Sequence, residues 1–168
     1  GETASKPWRS QCPGSTHGFL MAGIIDTNIL LYAVNADADE HKVAVDFLRR
    51  AGRSADQWYL TEGILYEFLR VSTHPKVFEK PISWKAAIQF LRPFIVSTNF
   101  RILTAEDGHW TLLEEVLGGL IHPAGNLFFD IRTVVLMYEH GIREIYTTDT
   151  DFLQFSGIKI INPLSSKK

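Results

Sequence analysis

Five acids carry the chemistry this chain suggests. Asp26 in GIIDTN, Glu67 in LYEFLR, Asp130 in GNLFFD, and Asp149 with Asp151 in YTTDTDF each stand where an apolar run ends or a helix opens. Carboxylates set against apolar segments repel one another and lose solvation unless something cationic sits among them. The cation that suits an all-oxygen donor set is a hard divalent one. Such a set points to metal-assisted chemistry on a phosphate-bearing substrate.

These acids need a frame. AGIID (22–26) reads as a short apolar strand ending in an acid, with a short helix from Asn28 through ILLYAV. Val43, Ala44, Phe47, Leu48 and Ala51 recur at helical spacing from Glu40, and Gly52 closes that helix. QWYL (57–60) is a strand, and Thr61 caps a helix with Ile64, Leu65, Phe68, Leu69 and Ser72 on one face, ended by Pro75. Ser83 caps the helix WKAAIQFLRPF, FRIL (100–103) is a strand, and a helix is expected over 105–117. Leu127, Phe128, Ile131, Val134, Val135 and Tyr138 share a stripe that stops at Gly141. EIYTT (144–148), a helical turn DFLQF and GIKII (157–161) complete the pattern.

Strands alternating with amphipathic helices indicate a three-layer α/β/α sandwich around a central, mostly parallel sheet. Ligands of such sheets collect at the carboxyl ends of the strands. Asp26 and Asp149 follow strands at that edge, and Glu67 and Asp130, read as lying near helix starts, point to it as well. The acids therefore belong to one pocket.

The bulk numbers bound the partners. With 168 residues, 45% hydrophobic and 21% charged, the chain fits one globular domain. A net charge of −2 excludes the strongly basic surface of many nucleic-acid binders. Without the five acids the balance is 14 acids against 17 Lys and Arg, a remainder of +3 that suits an anionic substrate. The single cysteine, Cys12, excludes an intrachain disulfide and a multi-cysteine zinc site, and fits a reducing cytoplasm. No apolar run is long enough to span a bilayer. Residues 1–20 lack periodicity and an apolar signal region, so they read as a disordered leader or upstream extension, with the domain over 21–165.

Four segments taken in order give the chain a family. DTNILLYAVN, EFLRVSTHPKVF, AGNLFFDIRTVVLMYEHG and TTDTDFLQFSGIKIINPL together resemble the PIN-domain ribonucleases, and within them the VapC-type toxins of toxin–antitoxin pairs, over roughly residues 22–164. The resemblance implies an endoribonuclease dependent on Mg²⁺ or Mn²⁺, a cognate antitoxin partner, a homodimer and a cytoplasmic setting. Carried over by position, it makes Asp26, Asp130, Glu67 and Asp149 metal ligands, and adds Asp151 to the catalytic set. Asn28 and Thr148 match polar positions that orient carboxylates or water. Arg70, Lys76 and Arg132 are the cations expected on the RNA. One departure stands out: where many relatives carry small residues around the third aspartate, this chain reads Phe128-Phe129-Asp130-Ile131-Arg132, so that the two phenylalanines are expected to narrow the pocket and Arg132 to add a cation near the phosphate path, which bears on substrate preference.

Plainer readings exist for each residue. Asp26, Asp149 and Asp151 can be helix caps, Asp130 a first-turn acid favoured by the helix dipole, and Glu67 an i, i+3 partner of Arg70. The loop holding Lys76, Phe78 and Lys80 grips RNA, or is a solvated loop with Phe78 folded inward. His74 and His122 sit in loops beside the cleft, while His41, His109 and His140 read as surface or capping residues. For the whole chain the alternative is a non-catalytic PIN scaffold that binds RNA or protein. Phosphatase and receiver-domain readings fail, because Asn28 stands two residues beyond the strand-end aspartate and Thr147-Thr148 occupies the place where a receiver needs lysine.

Overall fold

The computed structural model describes residues 21–165. The expectations for residues 1–20, Cys12 included, lie outside the described residues. Five strands, β1 (Met21–Ile25), β2 (Gln57–Thr61), β3 (Phe100–Leu103), β4 (Glu144–Tyr146) and β5 (Lys159–Ile161), form one sheet in the order β3-β2-β1-β4-β5. Every pairing is parallel. Six helices connect them: α1 (Thr27–Val34), α2 (His41–Arg53), α3 (Glu62–Ser72), α4 (Trp84–Val96), α5 (His109–Gly118) and α6 (Leu127–Glu139). Right-handed crossovers set α1–α4 on one face and α5–α6 on the other. The α/β/α sandwich expected from the alternating pattern is what forms.

The strands are apolar through their length because both faces are covered. Ile24 and Ile25, which point to opposite faces of β1, are both fully buried, as is Ile145 beside them on β4. On the α1–α4 face, Phe47 of α2 stacks on Tyr146 with ring centroids 5.4 Å apart, and Trp58 meets the same ring edge-on at 4.8 Å. This aromatic cluster ties β2 and β4 together across β1.

The chain reverses its direction of travel across the sheet at β1, which lies between β2 and β4. Ile25 pairs with Tyr146, and the Asp26 N–H donates to the Tyr146 carbonyl at 3.0 Å. The residues following β1 and β4 therefore emerge side by side at the switch point. Gly23 makes this pairing possible: a Cβ there would lie 2.5 Å from the Glu144 carbonyl oxygen.

Element boundaries differ from the sequence pattern where local contacts override it. Helix α2 runs through Gly52 to Arg53, because its buried residues Ala44, Phe47, Leu48 and Ala51 hold the last turn in place. Helix α5 starts at His109 rather than 105, after a turn closed by the His109 N–H to the Glu106 carbonyl at 3.0 Å. Strand β4 ends at Tyr146, since Thr147 turns its hydroxyl to side chains, and DFLQ forms a 3₁₀ turn. The caps read from sequence hold: Thr61 Oγ1 accepts from Ile64 N–H at 3.1 Å, and Ser83 Oγ from Ala86 N–H at 3.2 Å.

His109 is a correction. Expected at the surface, it is buried between α5 and α6, with Nδ1 2.9 Å from Glu139 Oε2. Its place in the series 109, 112, 113, 116 is the helical-face signal that reveals it. Among the described residues, no helix is long and apolar enough to cross a membrane.

Candidate metal centre and nuclease site

Asp26 sits at the carboxyl end of β1 and caps α1. Its Oδ1 accepts from the Thr27 N–H at 2.7 Å, and its Oδ2 from Asn28 Nδ2 at 2.9 Å and from the Thr147 hydroxyl at 2.6 Å. Oδ2 is thereby saturated, while Oδ1 keeps a lone pair for a further partner. The cap reading and the site reading are thus both satisfied by one carboxylate.

Thr147 is the orienting hydroxyl, not Thr148. It is fully buried, donates to Asp26, and accepts from Asn28 Nδ2 at 2.7 Å and from the Asp149 N–H at 2.9 Å. Thr148 contributes only its backbone N–H, 3.5 Å from Asn28 Oδ1. Thr27 was missed as well. Its hydroxyl donates to Glu67 Oε2 at 2.8 Å, and it stands between the two residues that the D-T-N motif singles out.

Asp130, Asp149 and Asp151 each offer a carboxylate oxygen, and these oxygens lie within 4.8 Å of one another. Asp149 and Asp151 come from the turn after β4, and Asp130 from the first turn of α6. Asp149 Oδ1 also accepts from the Asp151 N–H at 2.8 Å, which fixes the D-T-D turn. Glu67 lies mid-helix on α3 rather than near a helix start, held by Thr27 on one oxygen and 3.6 Å from Arg70 on the other. Asp26 and Glu67 flank the triplet and raise the proton affinity of Asp130 through their charges.

The electrostatics reveal the strain. Burial, then the charges of Asp26, Asp149, Glu67 and Asp151, push the Asp130 carboxyl up to about 7. Burial also pushes Asp26 up to about 6, against the lowering effect of its Thr147 and Thr27 hydrogen bonds. An oxygen-only donor set in which two carboxyls are pushed toward protonation suits a hard divalent cation, whose charge favours the ionised form.

The cations expected on RNA come from α6, α3 and the loop after α3. Arg132 stands 3.7 Å from Glu62, Arg70 beside Glu67, and Lys76 exposed in the loop after α3. In that loop Phe78 is half-buried and Lys80 pairs with Asp37 at 2.7 Å. Phe128 and Phe129, which flank Asp130 on its N-terminal side, are 46% and 55% exposed.

The fold has known counterparts. The PIN domain family model matches residues 24–158. Ribonuclease VapC48 of Mycobacterium tuberculosis is 30% identical over 145 residues, covering 86% of this chain and 99% of the relative. Ribonuclease VapC33 of the same organism is 32% identical over 143 residues, covering 84% and 97%. Among solved structures, M. tuberculosis VapC20, described as a sarcin-ricin-loop-cleaving toxin, superposes with a TM-score of 0.59 at 18% identity, over 80% of this chain and 95% of that one. VapBC2 of Rickettsia felis, solved bound to a DNA fragment from its promoter, gives 0.55 at 18% identity, over 83% and 96%. With a family model spanning most of its length and relatives matched end to end, this chain belongs to the PIN-domain family, among the VapC ribonucleases.

Proposed function

We propose that this protein is a divalent-cation-dependent endoribonuclease, the toxin of a toxin–antitoxin pair, working in the cytoplasm as a homodimer. The observation that carries the reading is the carboxylate triplet Asp130, Asp149 and Asp151 at the sheet's switch point, next to the anchored Asp26. Asp130, Asp149 and Asp151, with Asp26 Oδ1 and Glu67, would hold the cation, Mg²⁺ or Mn²⁺. Bound there, it supplies charge neutralisation on the phosphate and a lowered pKa for the attacking water.

The chain's own residues do the rest. Thr147 and Asn28 hold the Asp26 carboxylate in one orientation, so no reorganisation is needed when substrate arrives. Thr27 does the same for Glu67. Arg70, Arg132 and Lys76 take backbone phosphates on either side. In the reaction a water oxygen bonds to phosphorus, the bond from phosphorus to the leaving ribose oxygen breaks, and one proton passes from the water to the leaving oxygen. The substrate is single-stranded or loop RNA, whose splayed backbone reaches an acidic recess that a duplex cannot enter.

An antitoxin partner is supported by the kinship with VapC proteins. A groove of about 500 Å³ between α2 and α4, floored by Leu48, Phe90, Phe94 and Phe100 and edged by Arg49 and Arg53, gives a partner's amphipathic segment a place to lie.

Purified protein free of antitoxin is expected to cut a structured RNA with Mg²⁺ or Mn²⁺ and to stop on addition of EDTA. Cleavage that survives both EDTA and the pair Asp26→Asn, Asp130→Asn contradicts the proposal. RNA binding with no cleavage under any divalent cation favours the scaffold alternative.

A further inference from the structure

Three large aromatic side chains stand in solvent on the helices that carry site acids, Tyr66 on α3 and Phe128 and Phe129 on α6. Phe129 of α6 is 55% exposed and Tyr66 of α3 is 73% exposed. Each directly precedes an acid of the site, Asp130 and Glu67, and lies about 100° round its helix from it. Neither has a ring partner among the described residues. Their neighbourhood to the site acids sets them apart from the equally exposed Trp84 and Trp110.

Two arginines join them into one strip. Arg132 follows Phe129 by three residues on α6 and reaches α3, with Nη2 3.7 Å from Glu62 Oε2. It lies across the bare backbone of Gly63, where a Cβ would come within 2.7 Å of its Nη1. Tyr66 is one turn along α3 from Gly63, and Arg70 one turn beyond Tyr66. Phe129 and Arg132 on α6 thus adjoin the part of α3 that carries Glu62 and Gly63, and Tyr66 and Arg70 continue along α3 from there. The ion pairs of Arg132 with Glu62 and Arg70 with Glu67 are long, at 3.7 and 3.6 Å, and solvent-exposed, so they yield easily to a stronger anion.

Alternating rings and guanidinium groups match the repeat of an unpaired strand, in which bases stack on rings and phosphates meet cations. We propose that Phe129 and Tyr66 are base-stacking residues that, with Arg132 and Arg70, seat the unpaired nucleotides flanking the scissile phosphate. This rests on the ribonuclease reading and adds to it the residues that select an unstacked strand.

The test uses a single-stranded RNA about 12 nucleotides long carrying 2-aminopurine at successive positions, bound to the full chain with Mg²⁺ in an Asp26→Asn background. Fluorescence is expected to be quenched at two positions. Phe129→Ala and Tyr66→Ala should each weaken binding about tenfold and remove one quench, with no change in Tm because both rings are exposed. Phe129→Trp should restore binding and Phe129→Leu should not. In the cleaving protein, loss of either ring should raise KM and hold kcat.

Wild-type binding by Phe129→Leu, or absence of quenching in the wild type, overturns the proposal. So does retention of RNA binding by the alanine variants with loss of binding to a protein partner, which assigns the strip to that partner. A wild type that cuts no RNA yet shows ring-dependent quenching counts against the ribonuclease reading and supports the stacking strip.

Discussion

The Thr147 hydroxyl donates a 2.6 Å hydrogen bond to Asp26 Oδ2, joining the ends of the two central strands through one buried oxygen. The same oxygen accepts from Asn28 and from the Asp149 N–H, so its one donor and both acceptor positions are filled. Thr147→Val keeps the shape and removes all three bonds. It is expected to cost about 1–3 kcal/mol in denaturant unfolding and, by misplacing Asp26 and Asp149, about 10²-fold in cleavage rate. Thr148→Val should behave as wild type, since only its backbone N–H faces Asn28. Equal losses in both variants would remove Thr147 from its orienting role.

Cation binding to the carboxylates should appear as stabilisation independent of any RNA. At a Mn²⁺ concentration 100 times its Kd, the native state gains about 2.7 kcal/mol, read as a rise in Tm. Asp130→Asn and Asp149→Asn should each abolish most of that rise. Asp107→Asn, an exposed acid in the turn before α5, should leave it intact.

The pH dependence of the metal-free protein follows from the same crowding. The folded-state values of Asp130, about 7, and Asp26, about 6, both lie above the ordinary 3.8, so the native state holds protons that the unfolded chain releases. Their contribution to stability is complete below 3.8 and is lost as pH rises through those folded values. Metal-free Tm should therefore carry a component that falls across this window. Asp130→Asn should flatten that fall, and Mn²⁺ at neutral pH should offset it. A metal-free Tm with the same slope in wild type and Asp130→Asn would contradict the crowding.

Away from the site, His109 and Glu139 form a buried pair between α5 and α6, with side chains 10% and 5% exposed. Removing one partner leaves the other buried without compensation. Glu139→Ala is expected to destabilise the fold by about 3 kcal/mol while cleavage per folded molecule stays unchanged. A selective loss of activity with no loss of Tm would bring the pair into the mechanism.

The sheet and the helices between its strands were legible because buried parallel strands and amphipathic helices have distinct periods. Asp26, Asp130, Asp149 and Asp151 were legible because carboxylates gathered at strand ends and helix starts repel one another unless they share a cation. Thr147 was not: two adjacent threonines look alike until the Ile25–Tyr146 register decides which one faces Asp26. The mid-helix place of Glu67 and the burial of His109 depend on where α3 and α5 begin, which local turns set.

Whether these carboxylates gather one cation at the switch point can be read from a crystal soaked in Mn²⁺ and measured at the manganese absorption edge. An anomalous peak bounded by the carboxylates of Asp130, Asp149 and Asp151, with Asp26 Oδ1 turned toward it, is the predicted result. No peak there at a Mn²⁺ concentration that supports RNA cleavage would contradict it.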